Sequence, residues 1–287
     1  MLHPDELIGR VVDARTVRYR VEDTMLYALA TGLGADPLDP AQLRYVYEEN
    51  LLALPSLSLV LAYPGFWLRK PEYFVDWPKV LHAEEEFAIH APLPAAGTVT
   101  GRTTVTAIVD RGIDKGAYIH STKELRRTDD DALLATVNSV SVARGDGGLG
   151  GGGESPKATA FALPARAPDA VCELPTLPQQ ALLYRLCGDF NPLHASPAVA
   201  RQGGFERPIL HGRCTMGVAQ HALLRSCCDY DATRLKSMRV RFTAPFYPGE
   251  TLRTRLWHED GRVLFDAASV ERGVTVLGHG VAVVAAR

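Results

Sequence analysis

A chain of 287 residues with 46% hydrophobic and 22% charged residues has ordinary globular composition, which excludes a disordered or fibrous protein. Its formal charge of -2 offers no clustered basic excess for a nucleic-acid partner. The longest apolar run, residues 51–63, is broken by Pro55 and two serines and falls short of the roughly 20 residues a membrane span requires, so no transmembrane helix is expected.

From the N-terminus, Met1-Leu-His-Pro-Asp-Glu lacks the basic and then apolar regions of a signal peptide, and the chain closes on Val-Ala-Ala-Arg287 and not on a peroxisomal Ser-Lys-Leu. Five cysteines (172, 187, 214, 227 and 228) are an odd number without metal spacing, which suits reduced thiols in the cytoplasm. Residues 81–93, 98–110, 116–125 and 133–144 are rich in valine, threonine and isoleucine between Asp/Gly turns, predicting four antiparallel strands. A Gly-rich run from Gly145, followed by Ala/Pro-rich sequence to Asp169, has the composition of a flexible connector. It divides the chain into 1–144, a linker at 145–169, and 170–287. Cys214 to Cys227 shows a buried helical stripe, and residues 237–244, 251–258, 263–271 and 274–285 repeat the strand rhythm.

Ala91-Pro92 opens one strand set as Ala244-Pro245 opens the other, and Met25-Leu-Tyr27 is echoed by Leu182-Leu-Tyr184 at nearly the same offset. Two ordered matches point to an internal duplication. A long helix wrapped by a bent antiparallel sheet is the hotdog arrangement, so the expected class is α+β, a double hotdog of two bent sheets each wrapping a long helix.

The chemistry concentrates in Tyr184-Arg-Leu-Cys-Gly188-Asp189-Phe-Asn191-Pro192-Leu-His194, followed by Pro208-Ile-Leu-His211-Gly212. Pro192 disfavours helix at Asn191, so Asp189 to His194 should form a turn that converges both side chains on one point. A carboxylate and an imidazole there can grip one water. Hydration of a conjugated enoyl thioester also needs a donor to the enolate-like oxygen. Gly212 precedes the predicted helix, where amides have no intrahelical partner, and its missing side chain would let a carbonyl oxygen approach.

These residues resemble the signature of the MaoC-like, or type 2, enoyl-CoA hydratases, over all eleven positions from Tyr184 to His194 and at the downstream Leu-His-Gly. Leu81-His82-Ala-Glu84, Pro92-Leu-Pro94 and the Gly145 run further resemble the first half and linker of the eukaryotic-type hydratase 2, with Ala83 where that family has glycine. The resemblance implies reversible hydration of trans-2-enoyl-CoA to the (3R)-3-hydroxyacyl-CoA in fatty-acid metabolism such as β-oxidation. Asp189 and His194 would be the catalytic dyad, Gly212 the oxyanion donor and Asn191 a positioner of the thioester. The first half, with Asp36-Pro37-Leu38 but no matching histidine, would have lost the dyad and widened for the acyl tail. Coenzyme A would be part of the substrate, and no cofactor or metal would be needed.

Plainer readings remain beside these. Asp-x-Asn alone is usually a turn or cap; His211 before a helix is commonly held by backbone hydrogen bonds; Cys187 and Cys214 read as packing residues. Asp189, His194 and His211 lack metal-ligand spacing. Lys236, Arg239 and Arg241 are candidates for coenzyme A phosphates or a solvated strand end. Competing functions are dehydration of 3-hydroxyacyl groups on acyl carrier protein, a hotdog thioesterase, and a non-catalytic thioester-binding module. Exposed sheet edges admit a homodimer.

Overall fold

The computed structural model describes residues 2–150 and 162–286. All eight expected strands form, and two more join them. In chain order they are β1 (Val11–Tyr19), β2 (Val80–Ile89), β3 (Gly97–Asp110), β4 (Ala117–Arg127), β5 (Leu133–Ala143), β6 (Ala170–Pro175), β7 (Leu235–Phe242), β8 (Thr251–Glu259), β9 (Arg262–Ser269) and β10 (Val274–Val284). The two unforeseen strands, β1 and β6, are the outermost ones. β1 carries Asp13, Arg15 and Arg18, and β6 ends in Pro175, so neither has the apolar alternation by which sequence reveals a strand.

The strands form a single sheet in the order β1-β3-β4-β5-β2-β7-β10-β9-β8-β6. The second five positions repeat the first five in reverse, the arrangement a duplicated unit makes when its copies meet edge to edge. β2 and β7 make the seam, pairing Glu84 with Arg241, Glu86 with Arg239 and Phe87 with Met238. The double hotdog is therefore built on one continuous ten-stranded sheet and not on two separate ones. Cross-strand ion pairs cement the joint: Arg239 donates to Glu84 at 2.7 Å and Arg241 donates from Nε to the same carboxylate at 2.9 Å.

Only the second half wraps a long helix, Gly212–Cys227, buried along most of its length. The corresponding stretch of the first half is a five-residue 3-10 turn, Pro55–Leu59. Pro55 and Pro64 bracket a segment too short for several helical turns, and proline cannot continue a helix through either position. Lys123 on β4 reaches into this region, donating from Nζ to the carbonyls of Ser58 at 2.8 Å and Leu61 at 2.7 Å. A buried lysine thus satisfies carbonyls that a longer helix would have paired internally.

Buried contacts lock the halves together. Helix Val21–Ala30 ends in Thr31, so close to Gly217 of the long helix that a Cβ there would lie 2.5 Å from Thr31 Cγ2. Tyr45 donates to the carbonyl of Tyr230 at 2.5 Å, and Gln180 donates to that of Ala30 at 2.6 Å. The expected flexible connector does not begin at 145. Asp146 is buried and accepts from the amide of Asp76, and the amides of Gly148 and Gly150 donate to Asp110. At its far end, Asp169 donates from its amide to Leu256 and accepts from that of His258. Residues 151–161, the centre of the expected linker, lie outside the described residues.

On β10, the pairing slips between Gly278 and Val281, and a Cβ on Gly280 would meet the Phe265 carbonyl oxygen at 2.5 Å and its ring at 2.6 Å. Neither neighbour can yield, since one is backbone and the other is fully buried. Gly280→Ala is expected to lose about 2–3 kcal/mol and lower the Tm by on the order of 5–10 °C. Thermal unfolding followed by circular dichroism checks it.

Candidate active site

The Tyr184 to His194 segment folds as short helix, turn and cap. Helix Gln180–Tyr184 runs into a 3-10 turn, Arg185–Cys187, which stops at Gly188 with φ of 115°, a conformation that favours glycine. Asp189 follows, half-buried, and its Oδ1 accepts from the amide of Asn191 at 3.3 Å. Asn191 caps the next 3-10 turn, Pro192–His194, accepting from the amide of Leu193 at 3.1 Å. The Asx-turn and the reactive constellation are thus the same structure: the turn aims Asp189 and His194 at each other.

His194 is 9% exposed, and its Nδ1–H donates to the carbonyl of Ile209 at 2.9 Å. That bond fixes the tautomer, because a carbonyl only accepts, and it leaves Nε2 with a free lone pair. Burial lowers the imidazole's pKa from its ordinary value, although the Ile209 carbonyl and Asp189 pull the other way. The ring is therefore neutral at neutral pH. Donor atoms of Asp189, His194 and His211 all lie within 4.8 Å of one another, close enough for one water to touch the first two together.

His211 is 1% exposed and donates from Nε2 to the Asp189 carbonyl at 3.1 Å, the backbone-held role expected of it. Its ring stacks on that of His194 with centroids 3.7 Å apart and planes at 29°. A lone pair lies in the plane of its ring, and two planes stacked 3.7 Å apart at 29° come together only well beyond metal-bonding distance of either ring. Both lone pairs cannot meet one ion at the roughly 2.0–2.1 Å of a zinc–imidazole bond, so the three donors suit a metal poorly.

Gly212 is the first residue of the long helix, and no side chain caps that end. Its first-turn amides thus offer donors with the helix dipole behind them. The structure shows a packing reason for glycine here. A Cβ would stand 2.9 Å from Phe242 Cε1, so the missing side chain makes room for the Phe242 ring, which in turn rests on His82 at 4.7 Å. Gly212→Ala should push that ring aside, tilt the helix start and lower kcat/KM roughly ten- to hundredfold. Adding Phe242→Leu should return part of the loss, as steady-state kinetics will show.

Arg239 and Arg241 are committed to Glu84, which they hold charged: burial alone would raise that carboxyl's pKa, but the two guanidinium groups outweigh it and lower it. The seam between the halves uses both, so they are not free phosphate ligands. Lys236 is exposed and lines a cavity of about 270 Å³ with Leu51, Pro55, Ile89, Leu93 and Thr233. None of Asp189, His194, His211 or Gly212 lines that cavity. Reactivity is assigned by converging donor and acceptor groups and not by void volume, so the dyad remains the candidate site.

Two residues beside the site escaped sequence analysis. Arg213, next to Gly212, ion-pairs at 2.9 Å with the fully buried Glu85 of β2 and lies 4.4 Å over the Tyr63 ring. His82 Nε2 approaches the same carboxylate at 2.5 Å. A charged residue in the first turn of a helix buried along most of its length was the available signal, since such a charge demands a partner.

Comparison with known proteins gives the family. Residues 160–279 match the model of the MaoC like domain and residues 17–145 that of the MFE-2 hydratase 2 N-terminal domain. An enoyl-CoA hydratase of Mycobacterium tuberculosis (ChsH3) is 41% identical over 271 residues, covering 92% of each chain. A peroxisomal enoyl-CoA hydratase 2 of Arabidopsis thaliana is 34% identical over 295 residues, covering 95% of this chain and 93% of its own. The crystal structure of a MaoC-like dehydratase from Phytophthora capsici superimposes with a TM-score of 0.87 at 33% identity, covering 99% of this chain and 98% of that one. With relatives matching along nearly its whole length and both halves matched in order, this chain belongs to the MaoC-like hydratase 2 family.

Proposed function

We propose that the protein reversibly hydrates trans-2-enoyl-CoA to (3R)-3-hydroxyacyl-CoA. One observation carries the reading: ligand atoms of Asp189 and His194 lie within 4.8 Å of each other and of His211, the residue that immediately precedes the uncapped helix start at Gly212, so a single water can reach both members of the dyad. Water held between them loses a proton to the dyad as its oxygen adds to C3. The dyad returns a proton to C2, so the net change is addition of one water. The Gly212 amide donates a hydrogen bond to the thioester oxygen as negative charge builds there. No step calls for a metal or redox cofactor. Asn191, whose Oδ1 is spent on the turn, positions the thioester through its remaining amide group.

The shortened central segment of the first half, Pro55–Leu59 where the second half has sixteen helical residues, leaves room for an acyl tail. Five free cysteines fit a reducing compartment such as the cytoplasm; among the described residues no helix is long and apolar enough to cross a membrane. A homodimer would pair through the outer strands, β1 or β6.

Loss of enoyl absorbance with crotonyl-CoA and longer 2-enoyl-CoA esters, with chiral analysis of the product, tests reaction and stereochemistry together. Formation of the (3R) alcohol supports the reading. Release of free thiol without hydration would replace it with a thioesterase, and turnover confined to acyl carrier protein would move it to the dehydratase role in synthesis.

A further inference from the structure

We propose that His211 is a positioning residue for hydration: clamped to the Asp189 backbone and stacked on His194, it sets the distance and angle between the two groups that hold the water. The inference rests on the hydratase reading above.

Three observations carry it. The Nε2–H of His211 donates to the Asp189 carbonyl at 3.1 Å, fixing the main chain from which the carboxylate springs. The ring lies 3.7 Å from that of His194, covering one of its faces. His194 is held separately at its Nδ1 edge by the Ile209 carbonyl, so face and edge are both fixed. His211 is thus the one side chain among the described residues that is hydrogen-bonded to the backbone of one dyad member and stacked on the ring of the other. It also lies at the N-cap of the long helix, so the same residue ties the dyad to the Gly212 amide that follows it.

The arrangement works only with a neutral ring. A cation stacked on His194 would oppose any proton that His194 picks up, and would hold the Asp189 carboxylate away from water. Burial keeps His211 well below the ordinary histidine range, with His194 adding to that effect and Asp189 opposing it. The groups facing it are Asp189 and its carbonyl, the His194 ring, Arg185, and the Tyr184 ring at 5.0 Å. Its Nδ1 is buried without a protein partner, as the bare side of an Nε2–H tautomer would be.

Two substitutions separate the contacts. His211→Phe keeps a ring on His194 and loses the donor; His211→Gln keeps a donor and loses the ring. Each is expected to lower kcat for crotonyl-CoA roughly ten- to hundredfold with KM within about threefold, since misplacement by about 1 Å can reduce rate that much. In His211→Gln, solvent reaching the exposed face of His194 should raise its pKa and move the acidic limb of the kcat profile up by about half to one pH unit. In His211→Phe that limb should stay in place. A purely structural residue would change Tm and leave the limb unmoved in both.

Values of kcat within twofold of wild type in both folded variants overturn the inference while leaving the hydratase reading intact. Wild-type protein without hydratase activity overturns both. Should neither variant fold, nitrogen-15 spectra of histidine-labelled wild type decide the question. A ring protonated at Nε2 and bare at Nδ1 from about pH 5 to 8 supports the inference; a ring at that position that takes up a second proton in this range overturns it.

Discussion

Asp189→Asn will lower the rate of crotonyl-CoA hydration by roughly 10²- to 10⁴-fold, the range over which positioned acid–base groups act. The expectation follows from the local geometry. Asn can still accept the bond from the Asn191 amide, so the turn survives, and Asp189 is half-buried, so little core packing changes. Proton transfer is lost and shape is kept. His194→Gln should fall as far, because Nε2 is the only basic atom its neutral ring has left. The double variant should be little slower than either single one, since two groups that grip one water act as a unit. Binding of a hydroxyacyl-CoA product, measured by calorimetry, should stay within a few-fold of wild type in all three. Either single variant turning over at near wild-type rate would remove the dyad from the mechanism.

The dyad and the strands were legible in sequence because each is local. Asp189 and His194 lie on one turn, and Pro192 and Gly188 announce that turn by their own backbone preferences. Eight strands declared themselves by alternation and turns; β1 and β6 did not, because β1 buries only Val12 and Tyr19 among charged neighbours and β6 is six residues long and ends in proline. What sequence could not display is contact between separate elements. Phe242 fills the space beside Gly212, Glu84 holds Arg239 and Arg241, and Glu85 holds Arg213, each across more than a hundred residues or across separate elements. The basic cluster stays open between a phosphate site and a solvated strand end for that reason: a strand shows its charges, but not the strand it will pair with. The double hotdog is legible from the duplicated strand pattern, but the first half's central element is only the 3-10 turn Pro55–Leu59, because Pro55 and Pro64 leave no room for a helix like that of the second half.

The second large effect concerns that hidden pair. Glu85 is fully buried, and burial alone would raise its carboxyl pKa; Arg213 and His82 outweigh burial and hold it at about 2, against 4.5 for the free side chain. A gap of that size corresponds to roughly 3 kcal/mol of stability. Its sign is that of a depressed acid: the contribution is fully present above about pH 4.5 and is lost as pH falls toward 2. Glu85→Ala leaves a buried guanidinium with Ser139 and the Tyr63 ring but without its paired carboxylate, and Arg213→Ala leaves a buried carboxylate with His82 and Ser139 but without its guanidinium. Each single substitution is expected to lose about 3–5 kcal/mol. Replacing both by apolar residues, Glu85→Leu with Arg213→Met, should lose much less than the sum, because no charge is stranded.

Activity distinguishes a mere staple from a staple that sets the site. The pair joins β2 of the first half to the first turn of the long helix, one residue from the Gly212 amide. If that linkage fixes where the amide points, the apolar double variant should fold nearly as stably as wild type and still hydrate crotonyl-CoA about tenfold more slowly. Urea unfolding at pH 7 and at pH 3, run beside the kinetics, separates the two contributions. Wild type should lose stability between those pH values by more than the double variant does; equal losses would show that the Glu85 carboxylate is not held by Arg213 in solution.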